Sequence, residues 1–194
     1  MDTIRSLVQV FRPVFTAPTF SNGVFLLLSW IKTSGRAQMT TFLRARPYMP
    51  TLAPRRLSGK WKHFSVLYRF FSEAKWTLDE LGKCLVGALA FALPEDKELV
   101  LMIDDTFQQR SGPRILGAGM HYDGGSSTYS GSEGRQTRIN FGLSFVVLAV
   151  WVPIDFVEAG GLAIPILFRL YRPRKQTPEE KYRKRTELAA QMLD

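Results

Sequence analysis

The alternation of apolar and polar positions divides the chain into a helical first half and a second half rich in strands. Apolar residues recur at helical spacing over residues 20–33 and again over residues 78–92. The second segment opens with Thr77-x-x-Glu80, a capping box in which the hydroxyl and the carboxylate bind free amides at the helix start. We therefore predict a helix that begins after Thr77 and ends before Pro94.

The pattern changes after residue 98, where short apolar runs replace the helical spacing. The length of these runs, their β-branched and aromatic residues, and the glycines and prolines around them are typical of buried strands. Three such strands are predicted, at residues 98–106, 140–153 and 162–173.

The segments between and after these strands have patterns of their own. Glycine and serine are frequent in residues 111–140, which we predict as a long loop or a mobile hairpin. Residues 178–194 are predicted as a helix with acidic residues in its first turn. Apolar strands that follow helices indicate an α/β or α+β class. We place a helical, basic region at residues 1–95 and a layered domain at residues 96–194.

The distribution of charge says more about partners than the net charge of +9 does. Residues 1–72 carry eleven Lys and Arg against one acid, whereas residues 99–168 carry four basic residues against six acids. A basic front and an acidic middle suggest a polyanion held around an acidic site, either nucleic acid or an anionic membrane surface. The apolar runs at residues 24–31 and 141–154 are shorter than the roughly 20 residues that a spanning helix needs. We therefore expect a cytoplasmic protein with no membrane span.

The strongest candidate for chemistry is Asp104-Asp105-Thr106, at the end of the first predicted strand. A buried carboxylate needs a compensating partner, which could be a divalent cation, a helix end or an arginine. Oxygen ligands favour Mg²⁺ or Mn²⁺, and a pair of such ions is the usual device for phosphoryl transfer. Adjacent strand residues point to opposite faces, so only one of the two aspartates can face a common site. The alternative is a strand-end turn in which Asp105 and Thr106 bond local amides.

Other residues are candidates for binding. The single cysteine excludes an internal disulfide, and two histidines leave little room for a histidine-rich metal site. His121 is either a ligand or proton shuttle, or an ordinary loop histidine. Several basic residues are candidate phosphate contacts, with a solvated surface as the alternative. They are Arg44, Arg46, Arg55, Arg56, Lys60, Arg114, Arg172, Arg174 and Lys175.

In order and spacing, these segments resemble the N-terminal part of a bacterial insertion-sequence transposase of the DDE superfamily. The similarity runs through FRPVFTAPTF, HFSVLYRFFSEAKWTLDEL, VLMIDDT, GAGMHYD and the two apolar strands that follow. It implies an RNase H-like fold of three antiparallel strands, then a helix and further parallel strands. It also implies Mg²⁺-dependent (or Mn²⁺-dependent) cleavage and strand transfer at transposon ends in the bacterial nucleoid. N-terminal helices would bind the terminal repeats of the DNA.

The resemblance also assigns catalytic roles. The first catalytic aspartate of such proteins commonly stands in a D-x-T or D-x-S pattern, which places it, as a metal ligand, on Asp104, with Asp105 as the second choice. The family's second aspartate and its glutamate follow the helix at which this sequence stops. We therefore expect an incomplete catalytic domain that is inactive alone; the alternative is a non-catalytic DNA-binding remnant or inhibitor of transposition. A sheet edge left open by missing strands would favour association with another copy or with full-length transposase.

Overall fold

A computed structural model divides the chain into two compact units, residues 1–88 and 89–194. Among the described helices, none is long and apolar enough to cross a membrane. The basic segment at residues 44–60 lies outside the described residues. The structure describes residues 7–33, 41, 65–93, 98–112, 114–123, 128–130, 134–136, 139–154, 156, 158 and 160–194.

Helices dominate the described part of the first unit. Helix α1 is Ala17–Lys32, α2 is Ser65–Ser72 and α3 is Leu78–Ala92, which continues past the boundary of the unit. The apolar sides of α1 and α2 form a shared core. Its buried members are Phe25, Leu26, Leu28, Leu67 and Phe70.

The start of α3 is fixed by the predicted capping box. The backbone amide of Glu80 donates to Oγ1 of Thr77 at 3.2 Å, and the amide of Thr77 donates to Oε2 of Glu80 at 3.3 Å. Both amides would otherwise lack a helical partner. The predicted capping box and helix start are confirmed.

An antiparallel sheet built around one long strand forms most of the second unit. The central strand pairs with the first strand along one side, and with the second and sixth in succession along the other. The third and fourth strands form a separate hairpin. The strands are β1 (Val100–Gln109), β2 (Gly119–Tyr122), β3 (Thr128–Ser130), β4 (Gly134–Gln136), β5 (Ile139–Pro153) and β6 (Gly161–Tyr171).

The three predicted strands correspond to β1, β5 and β6, but the prediction that β1 is buried is wrong. Leu101, Met102 and Ile103 are 40–45% exposed. Within the described residues, β5 is the only neighbour of β1, so one edge and parts of both faces of β1 stay open. The aspartate pair also lies in the middle of β1 rather than at its end.

The prediction of a continuous helix from residue 178 is wrong as well. Pro173 and Pro178 instead precede two short 3₁₀ turns, Arg174–Gln176 and Glu179–Lys181. A residue that precedes a proline is disfavoured in helical conformation, and Thr177 is accordingly extended.

The final helix, α4, is Arg185–Ala190. The chain reaches it through Tyr182, which is extended and whose ring lies 6.4 Å from that of Tyr171, centre to centre. α4 contacts β5 and β6, and Leu188 and Met192 are buried. It therefore covers part of one face of the sheet.

Candidate functional site

The two aspartates of β1 point to opposite faces of the sheet. In the register with β5, Asp104 stands opposite Val147 and Asp105 opposite Val146. Directly paired residues in an antiparallel sheet share a face, and the faces alternate along each strand. The β5 residues near Asp105 on its face are buried, whereas the nearest ones on the face of Asp104, Phe145 and Val147, are half-buried. The buried ones are Ser144, Val146, Leu148 and Val150.

Arg185, the first residue of α4, reaches Asp105 on this covered face. Its Nε lies 3.6 Å from Oδ2 of Asp105 and donates to Oγ of Ser144 at 3.3 Å. The centre of its guanidinium lies 4.4 Å from the centre of the Tyr171 ring. The side chains of Arg185 and Asp105 are 38% and 49% exposed, so the ion pair is only partly screened by water. Arg185 therefore compensates the charge of Asp105 and ties α4 to three strands.

His121 of β2 is the fifth member of this arginine cluster, which we define as Asp105, His121, Ser144, Tyr171 and Arg185. His121 is 5% exposed, and its Nδ1 lies 3.4 Å from a terminal guanidinium nitrogen of Arg185. Arginine can only donate, so Nδ1 accepts and the ring proton is on Nε2.

The surroundings of His121 favour its neutral form. Burial and, second, the positive charge of Arg185 lower the pKa of His121, against a weaker opposing effect of the nearby Gly117 backbone. His121 is therefore a buried residue of a strand, and its interpretation as an ordinary loop histidine is wrong.

Asp104 has different surroundings from Asp105. Like Asp105 it is exposed, but it lies on the other face, and its Oδ1 accepts a hydrogen bond from the backbone amide of Asp105 at 2.8 Å. Among the described residues it forms no ion pair. Its oxygens suit a hard divalent cation. However, nowhere in the described part of the chain do three or more His, Cys, Asp or Glu residues come together as a group that could hold a metal ion. Asp104 thus offers one ligand rather than a complete metal site.

The candidate phosphate contacts fall into two groups. Arg114, Arg172, Arg174 and Lys175 are exposed, and Arg174 is paired with Glu179 at 2.6 Å. Only Arg174 and Lys175 of these four line a common cavity, which Arg185 also lines. The other candidates, Arg44, Arg46, Arg55, Arg56 and Lys60, lie outside the described residues.

The partner of Asp105 could not be identified from the sequence. The need for a compensating charge was evident, but Asp105 and Arg185 are far apart in sequence and no spacing rule connects them. Arg185 also lies in a run of basic residues that looks uniform in sequence. Only the packing of α4 on the sheet distinguishes it from its neighbours.

Comparison with known families identifies the chain. The family described as DDE superfamily endonuclease matches residues 49–194. No curated protein and no solved structure gives a significant match. The matched range contains every described strand, both aspartates and the whole arginine cluster. A family of this description indicates nuclease activity and DNA as the partner. The chain therefore belongs to the DDE superfamily endonuclease family.

Proposed function

We propose that the chain functions in DNA transposition, in which a transposase cleaves DNA and transfers the strands with the help of metal ions. Asp104 is the proposed metal ligand. The observation that carries this proposal is the difference between the two aspartates. Arg185 compensates Asp105, whereas Asp104 lies on the other face and forms no ion pair among the described residues. In a family of DDE endonucleases, Asp104 is therefore the better candidate for binding a cation.

The fold proposed is RNase H-like. The antiparallel order β1-β5-β6, followed by α4 on one face, supports this proposal. It agrees with the three strands and a helix that the resemblance implies for the start of such a domain.

The ion proposed is Mg²⁺ or Mn²⁺, because both prefer carboxylate and water oxygens. Such an ion would polarise a phosphodiester and generate a nucleophile when bound. A two-ion site needs several carboxylates, and Asp104 supplies only one. We therefore propose that this chain binds DNA but does not cleave it by itself.

The DNA proposed is the terminal repeat of the element that encodes the chain. Support comes from charge: residues 169–185 carry eight basic residues against two acids, and most of these basic side chains are exposed. A phosphate backbone would displace its counterions at such a surface, which makes binding sensitive to salt. The same surface favours the second candidate function, a DNA-binding product that inhibits transposition without catalysis.

The proposal is tested with a gel-shift and nicking assay on the DNA that flanks the coding sequence, in Mg²⁺ or Mn²⁺. The proteins are the wild type, Asp104→Ala and, as a matched control, Asp194→Ala, which removes an exposed carboxylate far from β1 in sequence. We expect saturable binding that salt weakens, equal in all three proteins, and no nicking.

Other outcomes have definite meanings. Nicking by the wild type and Asp194→Ala but not by Asp104→Ala would support the role of Asp104 and refute the inactivity of the chain. Nicking that persists in Asp104→Ala would contradict that role. The absence of any DNA binding would contradict both candidate functions.

A further inference from the structure

A cavity of about 540 Å³ lies between β2 and the turn at Arg174–Gln176. Its volume is within the range of small-molecule sites in proteins, about 300–1,000 Å³. Three of its lining residues are cations, Arg174, Lys175 and Arg185, and none of its lining residues is acidic. The cavity therefore suits an anion.

Lys175 is the cation most available to a ligand. Arg174 is paired with Glu179, and Arg185 with Asp105. Lys175 is exposed and forms no ion pair within the part of the chain that the structure describes. The excess of basic residues in the surrounding segment, eight against two over residues 169–185, adds to the positive potential at the cavity.

His121 provides a second and independent observation. It lines the cavity and is 95% buried, and its Nε2 has no hydrogen-bond partner of good geometry among the described residues. Since Nδ1 faces Arg185, Nε2 carries the ring proton and is a donor without an acceptor. A Cβ at Gly119 would lie 3.5 Å from Nε2 and only 3.0 Å from Cγ of Pro173, so a side chain at this position would crowd Pro173 beside this donor.

We infer that this cavity binds a phosphate group, with Lys175 as the main charge and His121 as a neutral donor. Phosphate has several acceptor oxygens and pairs well with both arginine and lysine. The inference does not rest on the proposed role of Asp104, which points to the opposite face of the sheet from the arginine cluster. The phosphate is either part of a DNA backbone or a free phosphate compound.

The test is an NMR titration of the isotope-labelled full chain with three probes: inorganic phosphate, thymidine 5′-monophosphate and a short DNA duplex. Lys175→Ala is compared with Arg110→Ala, which removes an exposed cation that neither lines the cavity nor belongs to the basic segment at residues 169–185. We expect saturable shifts of the amides of residues 119–122 and 174–176. Lys175→Ala should weaken binding at these amides at least fivefold, whereas Arg110→Ala should change it less than twofold.

The three probes distinguish the source of the phosphate. Shifts with all three probes would support a site for free phosphate compounds, and shifts with the duplex alone would support a contact to the DNA backbone. The inference is overturned if no probe shifts these amides, or if Lys175→Ala and Arg110→Ala weaken binding equally. Since Asp104→Ala should leave this titration unchanged, failure of this site and failure of the proposed function can be told apart.

Discussion

Asp104 and Asp105 are neighbours of identical chemistry that a strand places in different surroundings. The two-residue repeat of β1 puts Asp105 on the face that α4 covers, where Arg185 lies 3.6 Å away, and Asp104 on the other face. The sequence predicted that only one of them can serve a common site. The resemblance favoured Asp104, but the alternation of the strand alone could not predict which, because that depends on where a helix eighty residues later packs.

The role of Arg185 can be measured by replacing it. In Arg185→Gln, Asp105 loses its counter-charge, and Ser144 and His121 lose a donor. Both charged side chains are more than a third exposed, so solvent screening limits the loss of unfolding free energy to roughly 1 kcal/mol. Urea denaturation measures this loss.

The matched control for this variant is Arg183→Gln. Arg183 is exposed and donates to the backbone carbonyls of Glu180 and Tyr182. We expect this control to lose less than about 0.5 kcal/mol, as is usual for surface substitutions. Equal losses in the two variants would show that Arg185 does not tie α4 to the sheet.

At the scale of elements, strong local patterns were predictive and weak ones were not. The capping box at Thr77 and the long apolar run of β5 each specify an element without help from distant residues. β2 was missed because four residues are too few to show alternation, and it exists because it pairs with the start of β5. Helix α4 starts later than predicted because the backbone of Tyr182 is extended rather than helical. The ring of Tyr182 lies 6.4 Å from that of Tyr171, centre to centre.

The pairing of β1 with β5 depends on the absence of a side chain at Gly142. A Cβ there would collide with the backbone carbonyl of Gln108 and lie 2.7 Å from Cζ of Phe107. Because part of this clash is with backbone, Gly142→Ala should lower the free energy of unfolding by roughly 1–3 kcal/mol. Thermal or urea unfolding followed by circular dichroism measures the change.

Gly87→Ala is the comparison for this substitution. Gly87 lies within α3, and a Cβ there would meet nothing within 4 Å. Alanine has the higher helix propensity, so this variant should gain up to about 1 kcal/mol. If Gly142→Ala were as stable as Gly87→Ala, this result would contradict the close approach of β1 to β5 at Gly142.

At the scale of the whole molecule, the sequence was sufficient to predict the family and the class of fold. These predictions rest on features that the sequence alone contains: the order of the apolar runs, the position of the aspartate pair among them and the distribution of charge. The burial of β1 was predicted wrongly because an apolar run indicates what a strand can bury, not what covers it. The arginine cluster could not be predicted either. It brings together residues of β1, β2, β5, β6 and α4, and no local sequence pattern shows that these five elements are in contact.

The central claim is that Asp104, and not Asp105, binds the divalent ion. Paramagnetic broadening of amide signals by Mn²⁺ tests it most directly, because the method detects even the weak binding expected of a single carboxylate. The account predicts broadening centred on residues 103–106 that disappears in Asp104→Asn and persists in Asp105→Asn. Broadening that disappears only in Asp105→Asn, or that never involves β1, would contradict it.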